Sequence, residues 1–298
     1  MKSELSVSRQ KPYPTRLILA VAKLSSSAWY DIRPRKKEED KLKRGPLTLV
    51  SDKGLLDAIL EILRDPLFSG EGYIKIHSRL KRKNINVGKN RVYRIMLKFN
   101  LLNNKFGSPG SGRVHDGTII TEHPNKMWAT DGKQFCTKEE GKCWFIGVID
   151  HFNDEIKSFH LCKTFDRYAA MEPLREAVKN EYGSIEKDIC KGMDIALRAD
   201  HGSQFDSKTY QKEIEFLGIN YSPAFVRSPE CNGIIERFHR TLNEQVFFQE
   251  SFDNMEEAKE RIGPFISKYN EHWILHRLKL KSPIEYRQMY ESNKTSMN

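Results

Sequence analysis

Three acidic residues stand in company that suits metal-assisted chemistry. Asp131 lies in ATD, inside a run rich in aromatic and β-branched residues; Asp200 ends the short apolar run DIALRAD; Glu236 lies in PECNGIIERFHRTLNE. Carboxylates brought together repel one another, so without a counter-charge they protonate or spread apart. Two divalent ions about 4 Å apart neutralise three such groups and leave open positions. One ion then activates water or a 3′-OH, and the other stabilises the leaving oxygen of an in-line phosphoryl displacement. Oxygen donors select magnesium, with manganese as a substitute, over zinc. Spacing alone is a weak signal, because the chain has 40 acidic residues. Among other candidates, Asp150 ends a predicted strand in poorer company than Asp131, and His201 is as well explained as a turn residue as by contact with a phosphate. His272 and His276 are four apart on a predicted helix, but Trp273 occupies the place where the zinc-protease pattern needs Glu.

The elements that must position these acids follow from period and punctuation. Residues 127–136, 142–152 and 158–163 read as strands, short and rich in aromatic and β-branched residues. Residues 166–182 read as a helix, 194–200 as a buried strand, 207–217 as a helix and 219–225 as a strand. Ser228-Pro229 then opens a helix running to about 249, a capping residue followed by proline at the first helical position. Three meandering strands followed by alternating elements predict an α/β fold with a mixed sheet and helices on its faces. In such a sheet the first and fourth strands lie side by side and the following helix crosses their ends, which gathers Asp131, Asp200 and Glu236. The turn at Gly202, Ser203 and Gln204 is expected to aim Asp200 at the cleft.

The front of the chain is basic and helical. Residues 1–116 carry 25 Lys and Arg against 11 Asp and Glu, while residues 117–298 carry 25 against 29. A net charge of +10 concentrated in this way points to a polyanionic partner, most simply nucleic acid. Leu17, Ala20, Val21 and Leu24 repeat at helical spacing, before a charged linker at 33–46. Residues 52–102 read as three helices, starting near Asp52, Gly72 and Gly88. In the third, Val92, Ile95, Met96 and Phe99 form the apolar face, with Arg91, Arg94 and Lys98 opposite and Asn90 able to reach a base edge. Following a tight turn at Asn84–Asn86, this helix suits the reading position of a helix-turn-helix. The Gly-, Ser- and Asn-rich stretch at 103–117 marks a boundary. The expected division is 1–50 for a helical segment and basic linker, 51–105 for an all-α helix-turn-helix domain and 106–124 for a linker. A catalytic domain at 125–250 and a helical extension at 251–298 complete it.

The five cysteines are odd in number and include no CxxC, which argues against a disulfide framework or structural zinc and for a reducing, cytoplasmic setting. The apolar stretch at 17–22 is too short to cross a membrane, and no signal peptide is evident.

PNKMWATD, RADHGSQFDS and SPECNGIIERFHRTLNEQ resemble the three acidic segments of insertion-sequence transposases of the retroviral integrase superfamily. More narrowly, they resemble the second-frame product of elements that join two overlapping frames. Residues 72–102 resemble that family's helix-turn-helix and 268–286 its closing segment. The resemblance implies a ribonuclease H-like fold, two magnesium ions held by Asp131, Asp200 and Glu236, and cleavage and strand transfer at terminal inverted repeats. It also implies an assembly of several copies on DNA and a partner or fusion from an upstream frame supplying a zipper. Arg237, Arg240 and Asn243 on the glutamate helix are further candidate DNA contacts. Asn243 departs from the family, which has Lys or Arg there, and Arg240 is expected to supply the missing charge. The alternatives are a DNA-binding regulator that has lost the chemistry, and a ribonuclease H-type nuclease, which leaves the basic front unexplained.

Overall fold

Side chains alternate across β1 (Met127–Thr137), and this alternation gives the central sheet two apolar faces. The computed structural model describes residues 10, 12–27, 49–66, 68, 70–102, 120–200, 202–222 and 233–295. The chain divides into Met1–Leu49 and Val50–Asn298. In the first unit α1 (Thr15–Val21) buries Leu19. The expected apolar face is not the buried one: Leu17, Val21 and Leu24 are exposed. The basic linker at 33–46 lies outside the described residues.

In the second unit, α2 (Asp52–Leu63), α3 (Tyr73–Arg82) and α4 (Lys89–Lys98) enclose a core of Leu55, Ile59, Ile76, Leu80, Val92 and Met96. Ser51 caps α2 by accepting from the Gly54 N–H at 3.1 Å. Asn84 takes the left-handed conformation, φ 59°, in the turn between α3 and α4. Phe99 departs from expectation. It lies past the end of α4 and is exposed, because the chain leaves helical geometry there and Leu101 and Leu102 pack against the core instead.

The sheet contains β1, β2 (Gly141–Asp150), β3 (Ile156–Cys162), β4 (Ala196–Arg198) and β5 (Asn220–Tyr221), in the order β3-β2-β1-β4-β5. The first three form an antiparallel meander; β4 and β5 run parallel to β1. This is the mixed, ribonuclease H-like sheet that was expected. β4 and β5 are shorter than 194–200 and 219–225, since β4 pairs with β1 only as far as Arg198 and β5 with β4 only as far as Tyr221; residues 223–225 are not described. α5 (Arg167–Tyr182) crosses from β3 to β4 and α6 (Lys208–Leu217) from β4 to β5. Asp166 and Ser207 cap them. One face of the sheet, with Trp128, Val148 and Leu197, packs on α5 and α6. The other, with Ala129, Phe135, Phe145 and Ile149, packs on α7 (Gly233–Leu242) and α8 (Met255–His272).

Ser228 and Pro229 lie outside the described residues. The helix expected to reach 249 stays α-helical only to Leu242. A π-helical turn follows at Asn243–Phe247, the wider path that lays Phe247 flat on Phe135, ring centroids 4.9 Å apart. His272 and His276 do not share a helix, because α8 ends at His272 and the chain turns before α9 (Pro283–Thr295).

The three front helices pack against this closing segment. Arg79 is buried and forked with Glu71, its Nη2 2.7 Å from Oε1, and donates to the His272 carbonyl at 3.0 Å. Arg82 is forked with Glu285 at 2.7 and 2.9 Å, and Lys75 lies 4.3 Å from the centre of the Trp273 ring. Breaking a buried pair strands a charge, whereas an exposed pair contributes little. Arg79→Ala is therefore expected to lower the unfolding free energy by about 3–5 kcal/mol and Arg82→Ala by about 1 kcal/mol or less. Urea titrations would read both, and equal losses would contradict the assignment.

Candidate active site

Asp131 sits in mid-strand opposite Gly147 of β2. The parallel register of β1 with β4 ends at Ala129 and Arg198. Carried on by two residues, it sets Asp131 level with Asp200 on the neighbouring strand path. Adjacent strands lie about 4.8 Å apart, so two strand ends bring together acids far apart in sequence. Glu236 occupies the first turn of α7, the helix packed over this face of β1 and β2.

The Asp131 carboxyl is pushed up to about 7, first by burial and then by the charges of Asp200 and Glu236; the Gly132 N–H, donating at 2.8 Å, opposes the rise. Asp200 is exposed and accepts from the Gly202 N–H at 3.1 Å. A side chain at Gly202 would collide with the Gln204 amide, 2.3 Å from where its Cβ would stand. Glu236 is exposed. The three acids thus share one electrostatic site, although no three metal-binding side chains among the described residues stand close enough to enclose an ion as they are. Asp200 and Glu236, on the surface, are the two with freedom to turn inward.

A cleft of about 460 Å³ opens beside Asp131 and Asp200, bordered also by Trp144, Lys163, Phe165 and Gln204. Of these, only Gln204 had been marked in the sequence, as a turn residue. His239 also went unmarked, one turn after Glu236 on α7. It is buried, stands edge-on to Phe145 and holds Nδ1 3.5 Å from Asp131 Oδ2; burial, then Lys133, lowers it to about 4, so it is neutral. The i, i+3 spacing from Glu236 is the signal that would have found it. Asp150 is separate. It pairs with Trp128, about 10 Å along the strand from Asp131, and accepts from the N–H groups of Asn125 and Phe152.

The candidate DNA contacts divide. Asn90, Arg94 and Lys98 are exposed on α4. Arg91 is not free on that face: its guanidinium folds back onto Asp52 and donates to the Val50 carbonyl at 2.7 Å, joining α4 to the start of α2. On α7, Arg240 is exposed and forms no ion pair with Glu236 or Glu244 among the described residues. Arg237 is exposed, and its charge is felt at Asp154 and Tyr269, where α7 meets α8. Asn243 is half-buried as the first residue of the π-helical turn. None of these three borders the cleft.

Comparison with known proteins follows the same lines. Residues 127–251 match the family described as TnsB C-terminal domain, and residues 236–290 the family described as integrase core domain. The chain is 31% identical over 166 residues to the putative transposase InsK of insertion sequence IS150 from Escherichia coli K12, a match covering 55% of each chain. It is 29% identical over 214 residues to the putative transposase InsD of IS2E from the same organism, covering 70% of this chain and 94% of that one. Among solved structures, the catalytic core of HTLV-2 integrase in complex with magnesium aligns at a TM-score of 0.42 and 15% identity, over 55% of this chain and 97% of that one.

The raised Asp131 carboxyl has a consequence for stability. Its folded value of about 7 lies above an unfolded value near 3.9, so folding binds a proton between them. The contribution of this carboxyl to the stability of the metal-free protein is therefore fully present below pH 4 and is lost as pH rises toward 7. Asp131→Asn removes that penalty. It is expected to stabilise the protein by about 2–4 kcal/mol at pH 8 in EDTA and hardly at all at pH 4. Urea unfolding at both pH values checks this, and an equal effect at both would refute it.

Proposed function

From a chain that belongs with the insertion-sequence transposases carrying an integrase-type core, we propose a polynucleotidyl transferase that binds the ends of its own element and cuts and joins DNA strands there. The observation that carries this reading is the approach of Asp200, two residues past β4, and Glu236, on α7, to Asp131 in mid-β1, where the charges of both are felt. A basic three-helix region packed in the same unit accounts for the grip on DNA.

The donor set suits magnesium or manganese: three carboxylates, hard oxygens only, whose mutual repulsion a cation relieves. Asp131, Asp200 and Glu236 would hold two ions, which when bound supply Lewis acidity and a nucleophile at neutral pH. The protein's own part is positioning. The Gly132 N–H and His239 fix the direction of Asp131, and the Gly202 N–H fixes Asp200. Burial of Asp131 keeps bulk water from weakening its pull on charge. Arg240, exposed on α7 and without an ion pair among the described residues, is available for a phosphate of the bound end where Asn243 offers no charge. In this reading the front helices choose the end and the sheet cuts it, with more than one copy assembled on the DNA. An upstream-frame partner belongs to the proposal only as an expectation from the family resemblance.

Asp131→Asn, Asp200→Asn and Glu236→Gln are each expected to lower strand transfer on precut ends about 10³-fold or more in magnesium, while binding to those ends persists. Near-normal transfer by any one of them would remove that residue from the site. Intact binding without detectable metal-dependent cleavage by the unaltered protein would favour the regulator instead. On α4, Arg94→Ala is expected to cost about 1–3 kcal/mol on the element end and less on random DNA, and Lys98→Ala to weaken both alike and flatten the salt dependence. Gel-shift titrations in several salt concentrations would separate the two. Unchanged binding in both variants would take α4 out of the interface.

A further inference from the structure

The outward face of α4 carries more than charge. Val92, Ile95 and Met96 are its buried side, and Lys89, Asn90, Tyr93, Arg94, Leu97 and Lys98 are exposed. At about 3.6 residues per turn, Leu97 lies beside Asn90 opposite the buried side, with Tyr93 on one flank and Arg94 on the other. Leu97 is 56% exposed and Tyr93, one turn before it, 40% exposed. Single apolar residues on a surface are ordinary, but these two are neighbours at i and i+4 on one stripe. The Tyr93 ring is also held in place. It meets Tyr73, the first residue of α3, edge to face, with ring centroids 5.1 Å apart and planes at 65°. α4 contains no acidic residue, so Lys89, Arg94 and Lys98 border the stripe without a compensating charge on the helix.

A second copy of this face would set each cation against its counterpart, which like-charge repulsion opposes. A polyanion is drawn by the same charges, and the major groove of a DNA duplex is wide enough to admit a helix. Base edges in that groove offer donors and acceptors, which Asn90 and Arg94 can read, and one apolar group, the 5-methyl of thymine. An apolar pair set among hydrogen-bonding side chains therefore has one complement there. Building on the transposase reading, we propose that Leu97 and Tyr93 pack against the 5-methyl groups of two thymines in the element's terminal repeat, with Asn90 and Arg94 on adjoining bases. Four residues of helix rise about 6 Å, so the two thymines lie about two base-pair steps apart. Part of the end's specificity is thereby carried by methyl groups, which no count of charges along the chain reveals.

The test is a binding measurement in EDTA, so that it does not depend on catalysis. The probes are duplexes of the terminal repeat that flanks the gene, in which each thymine in turn is replaced by uracil. Uracil keeps every hydrogen-bonding group and lacks only the methyl. The full-length protein is expected to bind about fourfold more weakly when either of two such thymines is replaced, the size of one methyl group returned to water. Leu97→Ala should abolish the loss at one of the two positions and Tyr93→Ala at the other. Leu97→Met and Tyr93→Phe, which keep the apolar contact, should retain it. The exposed position of Leu97 leaves folding undisturbed. Equal affinity for thymine and uracil at every position would overturn the proposal, and so would losses that persist unchanged in both alanine variants. A change in the oligomeric state of the DNA-free protein on Leu97→Ala, with the uracil losses intact, would make the stripe a protein contact instead. Strand transfer that depends on Asp131 but comes without any uracil effect would sink this inference and leave the transposase reading standing.

Discussion

Burial of Asp131 in mid-β1, beside the charges of Asp200 and Glu236, is the constraint around which the rest of the protein is arranged. A folded chain normally keeps carboxylates apart, yet here burial and two neighbouring acids push Asp131 up to about 7. The cost is borne by a sheet whose faces are filled with Trp128, Phe145, Leu197 and Phe238. A wide apolar core can hold a few strained polar groups in place, because each costs only a small part of what the core contributes. The site lies on the edge of β1 where β4 is only three residues long, and it opens to solvent there.

Rigidity reaches outward from that point in both directions. Behind Asp131, α7 and α8 supply His239, Phe238 and Tyr269, so the acid's neighbours are themselves packed. Ahead of it, the three front helices lie against the chain between α8 and α9 through Arg79, Arg82 and Lys75. Charged residues that would otherwise enlarge the basic surface are spent on this contact, and Arg91 is likewise folded back onto Asp52. The surface left for DNA on α4 is correspondingly narrower than charge counting implies, with Arg94, Lys98 and Asn90 remaining.

Much of this was legible along the chain because it is local. The starts of α3 and α4 at Gly72 and Gly88, the caps at Asp166 and Ser207, and the strand character of 127–137 all depend on side chains within a few residues of one another. The order of elements then limits the sheet to few topologies, and three acids in distinctive local company pointed to a metal-assisted phosphoryl site.

Tertiary structure decided what depends on contacts between distant segments. Strand length was one such matter: β4 and β5 read longer than they are because β4 pairs with β1 only as far as Arg198 and β5 with β4 only as far as Tyr221. The fate of arginines was another, since a basic residue looks the same in sequence whether it faces water or, like Arg79, is buried against Glu71. The aromatic wall of the cleft was a third. Trp144 lies on β2 and Phe165 in the loop before α5, and the Phe165 ring reaches its place because Gly132 leaves room for it. Local chemistry sets propensity and period within a few residues, whereas burial, pairing and proximity are properties of surfaces that the chain brings together only when it folds.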